Sequence, residues 1–155
     1  MIRVQREDFD IGAELDRLMK GRHDLGAVVT FTGSVRDRAG TREISEMTLE
    51  HYPGMTEREL DRIEHEACER WPLLDCLIVH RYGTLVPGDK IVLVITASPH
   101  RLAAFEAAEF LMDYLKSSAP FWKRETGPDG AHWVEARGSD DEALGRWQRP
   151  RKAAE

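Results

Sequence analysis

Residues 90–120 constrain the fold more than any other part of the chain. Lys90 to Ala97, KIVLVITA, is β-branched and apolar, the most strand-like run present. It passes without a linker into SPHRLAAFEAAEFLMDYLKSSAP. There Ser98 is placed to cap a helix and Pro99 to occupy its first position. Leu102, Phe105, Ala108, Met112 and Leu115 mark the expected buried stripe, and Pro120 forbids continuation. The helix begins with His100 and Arg101 and ends with Lys116. Cations in a first turn oppose the helix macrodipole, while the free N–H groups there attract anions. Either an anionic ligand sits at this end, or Arg101 faces water or pairs with a nearby Glu. Lys116 suits a helix C-terminus on electrostatic grounds alone.

The rest of the chain alternates helices and strands. Phe9 to Lys20 reads as a short amphipathic helix capped by Asp10, with Leu15, Leu18 and Met19 at helical spacing. Ala27 to Thr32, AVVTFT, is a strand closed by Gly33, Ser34, Val35 and Arg36. Asp37 to Arg42 reads as a polar, mobile loop. Ile44 to Tyr52 is a second strand, with Met47, Leu49 and His51 on one face. Thr56 to Glu59 has the spacing of a capping box, opening a helix that buries Leu60, Ile63, Ala67 and Trp71. Leu73 to Tyr82 is a strand apolar on both faces. After Glu125, TGPDG is a turn and His132 to Ala136 a short strand. Ser139 to Glu142 caps a last helix ending near Trp147. These elements predict an α+β fold with a mixed, mostly antiparallel sheet and flanking helices. They form a single domain over 1–147, followed by a polar tail over 148–155.

Composition narrows the function. A net charge of -6 over 155 residues leaves no basic excess for general nucleic-acid binding. A local basic pocket in an acidic protein suits a small anionic substrate. No apolar run reaches membrane length, and MIRVQREDFD has no signal-peptide pattern, so the cytoplasm is expected. Cys68 and Cys76 lack CxxC spacing and are expected as reduced, buried thiols. The histidines show no metal-binding spacing, so neither metal nor cofactor is expected. Walker, GxGxxG and GxSxG motifs are absent from the sequence.

Lys123 and Arg124 follow Pro120, Phe121 and Trp122. A helix of about 18 residues spans roughly 27 Å, so its two ends cannot share one small pocket in a straight rod. Either Pro120 folds the Lys123 segment back, or two chains contribute. Lysines crowded with an arginine would lose some proton affinity, which favours a neutral amine for nucleophilic or general-base work. The other reading makes Lys123 and Arg124 a solvated surface pair.

Five ordered runs carry a resemblance: GAVVTFTGSVR (26–36), LEHYPGMTE (49–57), HRYGTLVPGD (80–89), SPHRLAAFEAAEFLMDYLKSSAPFWKRE (98–125) and WVEAR (133–137). Together they resemble the large, catalytic subunits of molybdopterin synthase, over about residues 24–147. The resemblance implies an α/β-hammerhead-type domain and a homodimer within a heterotetramer. The partner is a small ubiquitin-like sulfur carrier whose Gly-Gly tail ends in a thiocarboxylate. The reaction implied is sulfur transfer to cyclic pyranopterin monophosphate, giving the dithiolene of molybdopterin. By the same resemblance, Lys116 and Lys123 are catalytic. Ser34, Val35, Arg36, His100, Arg101, Lys116, Lys123, Arg124, Glu125 and Arg137 contact substrate. The sulfur arrives on the partner, so no reactive cysteine is needed in this chain. Two other readings remain open from the residues: a non-catalytic module docking a ubiquitin-like tail, and another enzyme acting on a phosphorylated heterocycle.

Overall fold

The computed structural model describes residues 1–135 and 138–148. Its centre is a four-stranded sheet in the order β1 (Ile2–Gln5), β6 (Asp75–Arg81), β8 (Lys90–Ser98), β2 (Ala27–Ser34). β1 runs parallel to β6, and the other pairings are antiparallel. Alternation along β8 sends Val92 and Val94 to one face and Leu93 and Ile95 to the other. The first face packs on α2 (Met55–Arg70) and α3 (Arg101–Ser117), around Leu60, Ile63, Phe110 and Leu111. The second face packs on α1 (Ile11–Met19), around Phe9, Leu77 and Val79. Each buried Leu, Ile or Phe here contributes about 1.5–3 kcal/mol by leaving water. That two-sided burial explains why the central strands β6 and β8 carry apolar residues on both faces.

A second sheet is antiparallel throughout, in the order β10 (Gly130–Val134), β9 (Phe121–Gly127), β5 (Glu46–His51), β7 (Gly83–Leu85). Met47, Leu49, Val35 and Leu85 form its own small core. A two-residue hairpin, β3 (Arg38–Ala39) with β4 (Arg42–Glu43), stands where a mobile loop was expected. Gly40 turns it, at φ 65°. α4 (Gly138–Gly145) and a 3-10 turn (Arg146–Gln148) close the described chain. The expected tail lies outside the described residues except for Gln148. So does Ala136, expected to end the last strand.

Several local expectations are corrected. The Thr56 capping box does not form: Gly54 is the cap residue, and its N–H donates to Glu57 at 2.6 Å. Thr56 is instead fully buried. Its hydroxyl donates to the Pro120 carbonyl (3.1 Å) and accepts from Tyr52 N–H (3.0 Å). Ser98 does not cap α3. It ends β8, and its hydroxyl donates to the Pro72 carbonyl at 3.1 Å. His100 is the cap residue, with no side-chain bond to the helix. The stripe on α3 is also different. Ala103, Ala104, Ala107, Ala108, Phe110, Leu111 and Leu115 are buried, whereas Leu102 and Phe105 are 63% and 60% exposed. The alanines let the helix approach the sheet closely, which rotates the larger Leu102 and Phe105 outward. Cys76 is buried as expected, but Cys68 is exposed; both are free.

Candidate active site

The C-terminal end of α3 opens onto a cavity of about 540 Å³ between the two sheets. Basic side chains reach it from different elements. Arg36 follows β2, Arg42 lies on β4, Lys116 sits in the last turn of α3, and Lys123 lies on β9. Ser34 lines it beside Arg36. The apolar walls include Ile44, Met47, Leu49, Val92, Leu115 and Phe121. A cavity with apolar walls and clustered cations suits an anionic molecule with a flat, apolar body.

The fold decides the question left open by the helix length. Pro120 ends α3, and the chain returns as β9, antiparallel to β5. This brings Lys123 back to the cavity that Lys116 lines, within the same chain. Glu125, two residues on and therefore on the same face of the strand, also lines the cavity. It is buried and accepts from Arg42 at 2.8 Å. The hairpin thus ties its own arginine to the cavity wall.

Other expected positions fall elsewhere. Val35 is buried in the small core beneath the second sheet and does not line the cavity. Arg124 points to the opposite face of β9, with its guanidinium over the Trp133 ring at 5.6 Å from the centroid. His100 and Arg101 lie at the far end of α3, in an open hollow with Leu102 and Phe105. The 17 residues of α3 put about 25 Å between the helix ends, so this pair does not line the cavity. Arg137 lies outside the described residues.

The structure adds groups that sequence reasoning missed. Arg42 sat in a segment read only as a loop. His80 lies one residue before the end of β6, where a buried polar residue among apolar ones is the one available signal. It is 7% exposed, stacks on Phe121 (centroids 3.7 Å apart, planes 16°) and lines the cavity. Its Nδ1–H donates to the Arg81 carbonyl at 2.8 Å. Burial pushes the imidazole from its usual 6.5 down to about 4, and the charges of Lys116 and Lys123 push the same way. His80 is therefore uncharged at neutral pH.

An α+β domain with a cation-lined cavity at a helix end has the arrangement of a small-anion site, with two lysines lining it. Comparison with known proteins makes this specific. The MoaE protein family model matches residues 4–118, and the chain belongs to that family. The molybdopterin synthase catalytic subunit of Brucella melitensis is 54% identical over 98% of this chain and 93% of its own. The molybdopterin biosynthesis MoaE protein of Burkholderia ambifaria superposes with a TM-score of 0.81 at 51% identity, covering 97% of this chain and 99% of its own. A complex of subunits 1 and 2 of molybdopterin-converting factor from Helicobacter pylori has the same fold: TM-score 0.72, 19% identity, 88% and 91% covered.

Proposed function

We propose that this chain is the catalytic subunit of a molybdopterin synthase. It takes sulfur from the C-terminal thiocarboxylate of a small ubiquitin-like partner and delivers it to cyclic pyranopterin monophosphate. The observation that carries this reading is the meeting of Arg36, Lys116 and Lys123 in one cavity, in a chain of this family. Arg36 would hold phosphate or pterin oxygens. The thiocarboxylate sulfur bonds to a pterin side-chain carbon, and the departing oxygen takes a proton from a lysine ammonium. Water then cleaves the acyl–sulfur bond, leaving a carboxylate on the partner and sulfur on the pterin. A second round on the neighbouring carbon completes the dithiolene. Cationic walls also attract the anionic tail of the partner.

His100 and Arg101 enter this scheme through a second copy of the chain. Leu102 and Phe105 beside them are large, apolar and exposed, the composition of an interface rather than a solvated surface. A homodimer through this end of α3 would carry His100 and Arg101 to the cavity of the other protomer, in a heterotetramer with two small partners. The cytoplasm is the proposed compartment, since the free thiols Cys68 and Cys76 suit a reducing one.

The test combines the chain with a thiocarboxylated small subunit and cyclic pyranopterin monophosphate. Dithiolene product, dependent on the thiocarboxylate, is expected. Binding of the partner with the pterin left unchanged would reject the catalytic role. Conversion without any sulfur donor would assign a different reaction.

A further inference from the structure

His80 stands apart in the cavity. Arg36, Arg42, Lys116 and Lys123 can only donate hydrogen bonds. The buried Glu125 accepts from Arg42 through Oε2, and the other carboxylates lining the cavity, Glu135 and Asp140, are less buried and charged. His80 is the neutral ring acceptor on the buried wall. His80 Nδ1 is committed to the Arg81 carbonyl, and a carbonyl only accepts, so Nδ1 carries the proton. In the uncharged ring, Nε2 then holds a lone pair. That atom has no hydrogen-bond partner among the described residues and is not sealed from the cavity its residue lines. The Phe121 stack holds the ring plane in place. We propose that His80 is a substrate-positioning residue, whose Nε2 accepts a hydrogen bond from an N–H of the heterocycle bound in this cavity.

This rests on the sulfur-transfer reading and extends it. The cations match the anionic and carbonyl side of a reduced pterin, but none can meet its ring N–H donors. A fixed, uncharged acceptor on the buried wall does so without cancelling the positive field that draws the phosphate in. It also helps orient the ring, because the cations hold the phosphate end while Nε2 engages an N–H on the ring edge turned toward it.

The experiment measures binding of cyclic pyranopterin monophosphate, and turnover with thiocarboxylated partner, for the full chain and two variants. His80→Asn keeps a donor near the Nδ1 position and loses the acceptor. His80→Gln places an amide oxygen near the Nε2 position. Asn is expected to raise the dissociation constant and KM for the pterin about tenfold with a smaller change in kcat. Gln is expected to restore both to within about threefold. Asn binding the pterin as tightly as the native chain overturns the proposal. Equal losses in Asn and Gln, matched by equal falls in melting temperature, assign His80 to packing and overturn it as well. A native chain that binds no pterin sinks the sulfur-transfer reading and this proposal together. A native chain that turns over, alongside an unimpaired Asn variant, sinks only this one.

Discussion

At the scale of single residues, the proposed reaction rests on two lysines and the proposed positioning on a histidine. Lys116→Ala is expected to abolish dithiolene formation with the fold intact, because its side chain lies on the exposed end of α3 and supports no core contact. Turnover near the native rate, with thiocarboxylated partner supplied, would remove Lys116 from the mechanism. Lys123→Ala should be severely impaired in the same assay. His80 gives a signal in stability. An unfolded histidine takes up a proton near pH 6.5, whereas the folded one resists until about 4. This stabilisation is complete above pH 6.5 and drains away as the pH falls toward 4, where the folded form protonates too. Burial opposes charging of the ring most, and the charges of Lys116, Lys123 and His51 act in the same direction. Between pH 7 and 5 the native chain should lose about 2 kcal/mol through this group, and His80→Gln should lose correspondingly less. Parallel urea titrations of the two proteins at both pH values check it.

At the scale of elements, the site depends on the joint between α3 and β9. Thr56 bridges the Tyr52 N–H and the Pro120 carbonyl from inside the core, which locates the bend that returns Lys123 to Lys116. Thr56→Val keeps the shape and strands both backbone groups, so a loss of about 1–3 kcal/mol is expected, with reduced turnover. Equal stability by chemical denaturation would show that the bend is held by other contacts. The hairpin of β3 and β4 is tied down twice. Arg42 pairs with buried Glu125, and Gly127 lies so close to the Glu43 carbonyl that a Cβ would stand 2.1 Å from it. Arg42→Ala leaves Glu125 buried without this cation. The hairpin should then become accessible to proteolysis, and the pair's partial exposure limits the stability loss to about 1–3 kcal/mol.

At the scale of the whole molecule, the proposed site needs a second copy of the chain to bring His100 and Arg101 to the cavity. If His100 and Arg101 act across a dimer, Lys116→Ala and Arg101→Ala chains should complement. A mixed dimer then contains one site with both defects and one with neither, and co-refolded mixtures should recover up to about half the native activity per mixed dimer. No recovery beyond the sum of the single variants would place the pair's function within its own chain. Phe105→Glu is expected to weaken self-association, read by light scattering, because it puts a charge into the exposed apolar end of α3. A native chain monomeric at micromolar concentration would argue against the dimer directly.

Much of this was legible in the sequence, because helices, strands and their breakers are written in local patterns. KIVLVITA, the Asp10 cap and the stop at Pro120 act within a few residues, and each predicted its element. The family resemblance likewise pointed to Arg36, Lys116 and Lys123, which the structure brings to one cavity. What sequence patterns could not reveal depended on contacts between distant segments. The exposure of Leu102 and Phe105 follows from which face of α3 the alanines allow against the sheet. Thr56 serves a carbonyl 64 residues away, and Arg42 a carboxylate 83 residues away. His80 came to line the cavity only when β9 folded back and laid Phe121 on its ring. Periodicity reports how a segment meets water; which segment it meets is settled by packing the whole chain.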